Sequence, residues 1–257
     1  MINPLGSLET VVRGYEMDRW KRVPLSNLLR YAEHARWEFA VRDGSPLRQL
    51  FSSDAFLVVR TQYGALHAPA TLGDTLHIDL EVAHVGGSSL TFIQTLSKES
   101  ADPSLERVPV ATMHVVTVYV GTDKRPQRLP KWFRDQVGPR EPPPDAMELK
   151  DPPSGAEGFD LQIRNSDIDL LQHVNHARYV DFLQDARAEL AALGRLKGPG
   201  SHPSTPPKHF AIEYLRELRP HESLVGYAWN DSDPQTLHVA GLVAGEARPR
   251  FRGALGF

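Results

Sequence analysis

The sequence predicts an α+β fold built from two modules of the same plan. Three observations support this prediction: matching residues recur at a constant separation, a proline-rich segment divides the chain, and each half combines one long helix with several strands. One helix followed by consecutive strands is typical of an α+β module with a mostly antiparallel sheet.

The internal repeat has a separation of 151 positions, as between Asp18 and Asp169. Other pairs at this separation are Arg13 and Arg164, Val23 and Val174, Tyr31 and Phe182, Arg36 and Arg187, Glu38 and Glu189, Tyr63 and Tyr214, and Pro69 and Pro220. After a shift of three residues, Asp74 aligns with Glu222. A register held over about fifty positions predicts that one structural unit occurs twice.

Proline marks the division between the halves. Residues 133–158 contain six prolines, and proline fixes φ and lacks a backbone donor, so this segment is predicted to be an extended linker. The predicted division is therefore an N-terminal module at 1–132, the linker, and a C-terminal module at 159–257. A second proline-rich stretch, 198–208, is a candidate for a mobile flap.

The first half is predicted to contain a strand at Leu8–Arg13, a helix at Pro24–Val41 and a strand at Met113–Val120. The helix has one apolar face, formed by Leu25, Leu28, Leu29, Ala32, Ala35 and Phe39. Apolar residues alternate with polar ones from Leu76 to Val82, which is the period of a half-buried strand.

The second half is predicted to contain a helix from Asn175 to Ala192. Its apolar residues are Tyr179, Phe182, Ala186 and Leu190, and Gly194 suits its C-terminal cap.

Composition excludes several function classes. The formal net charge of -3 gives no basic surface for non-specific binding of nucleic acid. The absence of cysteine excludes disulfides, thiolate metal sites and a cysteine nucleophile. No basic and apolar leader opens the sequence, and no apolar run is long enough to span a membrane, so we expect a cytoplasmic protein.

One segment carries a recognisable motif. Arg164–Tyr179 reads Arg-Asn-Ser-Asp-Ile-Asp-Leu-Leu-Gln-His-Val-Asn-His-Ala-Arg-Tyr. It resembles the hot-dog thioesterase signature Asp-x-Asp-x-x-x-His-Val-Asn-Asn-x-x-Tyr. The tandem arrangement and the segment Glu213–Leu218 are similar to the acyl-ACP thioesterases, within the 4-hydroxybenzoyl-CoA thioesterase-like superfamily. The resemblance implies a tandem (double) hot-dog fold, in which each antiparallel sheet wraps a long central helix.

The resemblance also implies the site. Asp169 matches the catalytic Asp, His173 the catalytic His, Asn175 the motif Asn, and Glu217 the Glu that assists hydrolysis. The chain departs from the acyl-ACP thioesterase pattern at Leu171, His176 and Leu218. Leu171 and Leu218 bear on the acyl-ACP subclass more than on hydrolysis.

Thioester hydrolysis needs an activated water or a carboxylate nucleophile, together with stabilisation of the oxyanion. Asp169 can fill the first role as base or as nucleophile, with His173 and Glu217 assisting. Backbone amides at the start of the 175–192 helix are candidates for the second role. No cofactor and no metal are expected.

Each site residue also has a structural interpretation. Asp169 can anchor the loop before the helix, Asn175 can cap the helix, and Glu217 can pair with Arg216 or Arg219. Arg187 and Glu189 are predicted to be structural.

The first half lacks the catalytic set. At the positions of His173, Asn175 and Glu217, the register of 151 places Arg22, Pro24 and Leu66. We expect Arg22 to pair with Asp18, and the first module to act as a partner of the second.

The predicted substrate is an acyl-CoA or acyl carrier protein thioester, from fatty acid metabolism or polyketide biosynthesis. Candidates for holding its phosphates are Lys208, Arg216, Arg219, Arg248, Arg250 and Arg252. Alternatives are hydration of an enoyl thioester, addition of another nucleophile to it, and acyl-thioester binding without catalysis. No nucleic-acid or membrane partner is expected, and a homodimer is left open.

Overall fold

The structure is a computed structural model that describes residues 5–51, 55–102, 104–137 and 144–257. The chain divides into two compact units, Met1–Asp145 and Ala146–Phe257. The junction between them falls inside the segment 133–158, which the sequence predicts to be a linker.

The first part of that segment is helical rather than extended. A short helix covers Lys131–Val137, and its Phe133 and Val137 are buried. The prolines of the segment begin only at Pro139, so nothing interrupts helical hydrogen bonding before that residue. Residues 133–137 therefore belong to the folded N-terminal unit, and Phe133 and Val137 are part of its core.

The N-terminal unit contains five strands and three α-helices within its described residues. They are β1 (Gly6–Val11), α1 (Leu25–Val41), α2 (Pro46–Phe51), β2 (Ala55–Leu66), β3 (Thr75–Val85), β4 (Ser89–Lys98), β5 (Val108–Gly121) and α3 (Lys131–Val137). The strands are ordered β1-β3-β4-β5-β2, and each neighbouring pair is antiparallel.

The C-terminal unit, over residues 146–257, repeats this plan with one long helix. Its elements are β6 (Gly158–Gln162), α4 (His176–Ala192), β7 (His209–Tyr214), β8 (Ser223–Trp229), β9 (Thr236–Val243) and β10 (Phe251–Gly256). The strand order β6-β8-β9-β10-β7 repeats that of the N-terminal unit, and its neighbouring pairs are also antiparallel.

The predicted repeat, with its separation of 151 positions, holds at the two long helices. α1 and α4 each have 17 residues, and both bounds of α4 lie 151 positions after those of α1. The register changes after the helices. The amide of Val23 donates to the carbonyl of Ala70, and the amide of Val174 donates to that of Leu218, a separation of 148.

The change of register corrects three of the sequence alignments. With a separation of 148, Glu217 corresponds to Pro69 and not to Leu66. The pairs Tyr63 with Tyr214 and Pro69 with Pro220 are therefore coincidental. The shift arises in the connection between helix and strand, where chain length varies most easily because loops tolerate insertions.

Both long helices bury the predicted apolar faces. Every residue of the predicted α1 face is buried, as are Tyr179, Phe182, Ala186 and Leu190 of α4. α4 approaches its sheet closely at Gly253, where a Cβ atom would lie 2.5 Å from Leu183 Cδ2. Gly194 ends α4 with a φ of +67°, which a residue with a side chain rarely adopts.

The alternating strand is also confirmed. Leu76, Ile78, Leu80 and Val82 of β3 are each 0% exposed. Across the part of the chain that the structure describes, no helix combines the length and apolarity needed to cross a bilayer.

A buried histidine in the N-terminal unit should make the free energy of unfolding decrease at acidic pH. The ring of His114 stacks on Tyr63 with centroids 5.0 Å apart, and burial lowers the pKa of this imidazole. The unfolded chain therefore takes up a proton before the folded chain does, so stability should fall as pH drops below about 6.5. We expect His114→Gln to flatten this fall by at most about 1.4 kcal/mol per pH unit.

Urea unfolding between pH 8 and pH 5 measures that slope. His34→Gln is the matched control, because His34 is exposed. A His114→Gln protein with the wild-type slope would contradict the prediction.

Candidate active site

The loop before α4 brings Asp169 and His173 together. The amide of Asp169 donates to the carbonyl of His173 over 2.9 Å, and the amide of Gln172 donates to that of Asp169 over 3.1 Å. Gln172 closes this turn with a φ of +64°. The result places Oδ2 of Asp169 3.6 Å from Nδ1 of His173.

The two oxygens of Asp169 have different surroundings. Oδ1 accepts the amide of Leu171 over 2.8 Å, which holds the loop in shape. Oδ2 is the oxygen that lies near His173. The side chains of Asp169 and His173 are 17% and 31% exposed, so water or a substrate can reach the pair.

Asn175 is the N-cap of α4. Its Oδ1 accepts the amide of Ala177 over 3.0 Å, and its carbonyl accepts the amide of Arg178 over 2.9 Å. These bonds satisfy two amides that a helix start otherwise leaves without intrahelical partners. The structure thus shows the capping interpretation of Asn175 directly.

Glu217 is next to Leu218, whose backbone contacts the loop that carries His173. The carbonyl of Leu218 accepts the amide of Val174 over 2.9 Å, next to His173. The carboxylate of Glu217 instead accepts Nε of Arg219 over 3.0 Å, and Nη2 of Arg219 contacts the same oxygen. The structure therefore shows the pairing with Arg219 that the sequence allowed as an alternative.

The N-terminal unit contains the same loop without the histidine. The amide of Asp18 donates to the carbonyl of Arg22 over 2.8 Å, and its Oδ1 accepts the amide of Trp20 over 2.8 Å. Lys21 has the φ of +61° that corresponds to Gln172. Arg22 places Nε 3.3 Å from Oδ2 of Asp18, as expected, and so occupies the oxygen that faces an imidazole in the other unit.

The buried carboxylate of Asp167, which the sequence alone did not single out, supports the loop before α4. Asp167 is 1% exposed and accepts the amide of Arg164 over 2.7 Å and Nε of Arg178 over 2.8 Å. Its carbonyl accepts the amide of Asn175. The repeat contained a signal, because Glu16 lies 151 positions earlier and bonds the amide of Arg13 in the same way.

Two family models match the chain. Residues 12–137 match the thioesterase-like superfamily, and residues 152–247 match the acyl-ACP thioesterase C-terminal domain. Both units of the chain therefore match thioesterase families. The predicted class of enzyme, a thioester hydrolase, agrees with both matches.

Solved structures show the fold. A 12:0-ACP thioesterase from Umbellularia californica is similar with a TM-score of 0.72 and 17% identity, over 98% of this chain and 96% of that one. An acyl-ACP thioesterase from Bacteroides thetaiotaomicron has a TM-score of 0.77 and 15% identity, over 98% and 97%. A search of curated proteins finds no match. The predicted double hot-dog fold of the α+β class is confirmed.

Most of the cations that the sequence suggests for substrate phosphates pair with carboxylates instead. Arg216 and Arg250 pair with Glu246, and Arg252 pairs with Glu213. With Arg219 bound to Glu217, four of the six candidates hold carboxylates of their own unit. Lys208 and Arg248 are exposed and remain candidates.

Proposed function

We propose that the C-terminal unit hydrolyses an acyl thioester at the Asp169–His173 loop. The observation that carries the proposal is the 3.6 Å approach of an accessible carboxylate oxygen to an accessible imidazole. The corresponding loop of the N-terminal unit fills that place with Arg22. We therefore assign one reaction centre, in residues 146–257.

Asp169 starts the reaction through Oδ2, because Oδ1 is held by the amide of Leu171. As a base, this oxygen takes a proton from water, whose oxygen adds to the thioester carbonyl carbon. As a nucleophile, it adds to that carbon itself and water later cleaves the anhydride. In both routes the C–S bond breaks and its electron pair leaves on sulfur, which takes up a proton. His173 orients the water or the carbonyl.

The start of α4 supplies positive potential to the oxyanion. The amides of Ala177 and Arg178 donate to Asn175, so we do not assign them as direct donors. The macrodipole of the 17-residue helix still places about half a positive charge at this end. Asn175 thus contributes by fixing where the helix begins, and Glu217 assists only if its carboxylate leaves Arg219.

An acyl carrier protein thioester is the substrate class we propose, with acyl-CoA second. The support is the match of residues 152–247 to an acyl-ACP thioesterase domain. We further propose that the reaction belongs to fatty acid or polyketide metabolism and takes place in the cytoplasm, as the sequence led us to expect. Leu171 is 52% exposed while Leu218 is fully buried, so only the first departure can alter contacts with a carrier.

Release of free thiol from a panel of acyl-ACP and acyl-CoA substrates tests the proposal. We expect thiol and free acid in equal amounts, with a higher kcat/KM for the carrier thioesters. Loss of enoyl absorbance without thiol would instead indicate hydration or addition. Binding of the thioesters with no product above background would indicate a protein that binds but does not catalyse.

A further inference from the structure

We propose that Arg250 is a positioning residue for the Asp169–His173 site. It holds the backbone of the turn 215–218, and this turn binds the amide of Val174, the residue next to His173. The inference rests on the proposed hydrolysis. Arg250 is 7% exposed and directly precedes β10. Its carbonyl accepts the amides of Leu215 and Arg216 over 2.9 and 3.1 Å, and its Nη1 donates to the carbonyl of Glu217 over 2.6 Å. One arginine thus binds three consecutive residues of the turn.

Two carboxylates fix the orientation of this guanidinium. Nε donates to Glu246 Oε2 over 2.6 Å, and Nη2 donates to Glu246 Oε1 over 2.7 Å, which is a two-point contact. Nη2 also donates to Glu222 Oε1 over 2.9 Å. Because a planar fork held at two points cannot rotate freely, Nη1 is aimed at the turn in one direction.

The turn passes this constraint to the loop before α4. The amide of Leu218 donates to the hydroxyl of Tyr179 over 2.9 Å, and the carbonyl of Leu218 accepts the amide of Val174 over 2.9 Å. Burial raises the pKa of Tyr179, so its phenol stays neutral. Val174 follows His173 directly, so a displaced turn moves the imidazole away from Asp169.

The N-terminal unit contains a simpler clamp, by which we mean a cation that binds both the backbone of the turn and a carboxylate. Nζ of Lys98 donates to the carbonyl of Pro69 over 3.0 Å and to Asp74 Oδ2 over 2.9 Å. Pro69 and Asp74 correspond to Glu217 and Glu222 at the separation of 148. A rotatable ammonium therefore suffices where the loop carries Arg22 in place of a catalytic histidine.

The difference between the two clamps is the basis of the proposal. A fold needs only that the turn stays attached, and Lys98 shows that an ammonium achieves this. Catalysis needs its groups held to within about 0.5 Å, and a misplacement of about 1 Å can cost 10²-fold in rate. The forked, doubly paired cation occurs in the unit that carries Asp169 and His173.

The test compares Arg250→Lys, Arg250→Met and Lys98→Met in the full chain, with kcat, KM and melting temperature for each. We expect Arg250→Lys to fold and to lose roughly threefold to tenfold in kcat, with KM within about twofold of wild type. Arg250→Met should lose more, up to roughly 10²-fold, so that lysine is a partial rescue. Lys98→Met should lower the melting temperature but keep kcat within about twofold.

Wild-type kcat in folded Arg250→Lys would overturn the proposal, as would an equal loss of kcat in Lys98→Met. Amide hydrogen exchange gives a readout that needs no activity. The amide of Val174 should exchange faster in Arg250→Lys and be unchanged in Lys98→Met, which should instead speed exchange at Val23. If the wild-type chain released no thiol, the proposed function would fail, while unchanged exchange at Val174 would reject the positioning role separately.

Discussion

Asp169→Asn is expected to lower kcat for thioester hydrolysis by roughly 10²–10⁴ with little change in KM. An asparagine Oδ1 can still accept the amide of Leu171, so the loop should keep its shape. The lost function is that of Oδ2, which can no longer take a proton from water or attack the carbonyl. Because that interaction forms only in the transition state, kcat and kcat/KM should fall together.

His173→Ala is the second variant of this prediction, and Asp18→Asn is its control. Asp18 makes the same loop bond, to the amide of Trp20, in the unit without the catalytic set. Asp18→Asn should therefore leave kcat unchanged even if stability decreases. Full activity in both Asp169→Asn and His173→Ala would reject this reaction centre.

Pre-steady-state kinetics distinguish the two roles of Asp169. Direct attack releases thiol before water is needed, so a burst equal to the enzyme concentration is expected if anhydride hydrolysis is slower. A base mechanism releases thiol and acid together. If Asp169 attacks directly, hydroxylamine should cleave the anhydride on Asp169 and take the acyl group as its hydroxamate.

The sequence predicted the features that depend on local patterns. The boundaries of α1 and α4 followed from apolar periodicity and from their capping residues, and Asn175 and Gly194 lie where the motif and the cap rules placed them. The repeat was visible because both units need the same loop before the helix. Asp18 and Asp169 each hold the amide two residues later, whatever chemistry the loop performs.

Long-range partners could not be predicted in the same way. The carboxylate of Glu217 finds Arg219 only two residues away, whereas its carbonyl binds Arg250 across the sheet. Arg250 was placed among candidates for phosphate binding because charge alone does not say which carboxylates surround it. Its role follows from strand order, which brings β10 beside β7.

Arg187→Met is expected to cost about 3 kcal/mol in the free energy of unfolding of the C-terminal unit. Arg187 is 1% exposed, and its guanidinium donates to the carbonyls of Gly200, His202 and Thr205 over 2.8, 2.6 and 3.0 Å. Each bond to a charged donor contributes roughly 1.5–3 kcal/mol, and repacking of methionine offsets part of the loss.

These bonds correct the expectation that 198–208 is a mobile flap. The prolines of this segment suggested mobility, but its carbonyls converge on one buried cation, which also lies 4.6 Å from the ring of Phe257. Urea unfolding and limited proteolysis of the segment measure the effect. Arg36→Met is the control, because Arg36 occupies the same position of α1 but bonds the side chain of Gln94. If Arg187→Met matched wild type in both measurements, the segment would be held by its prolines alone, and α4 would not contribute to its order.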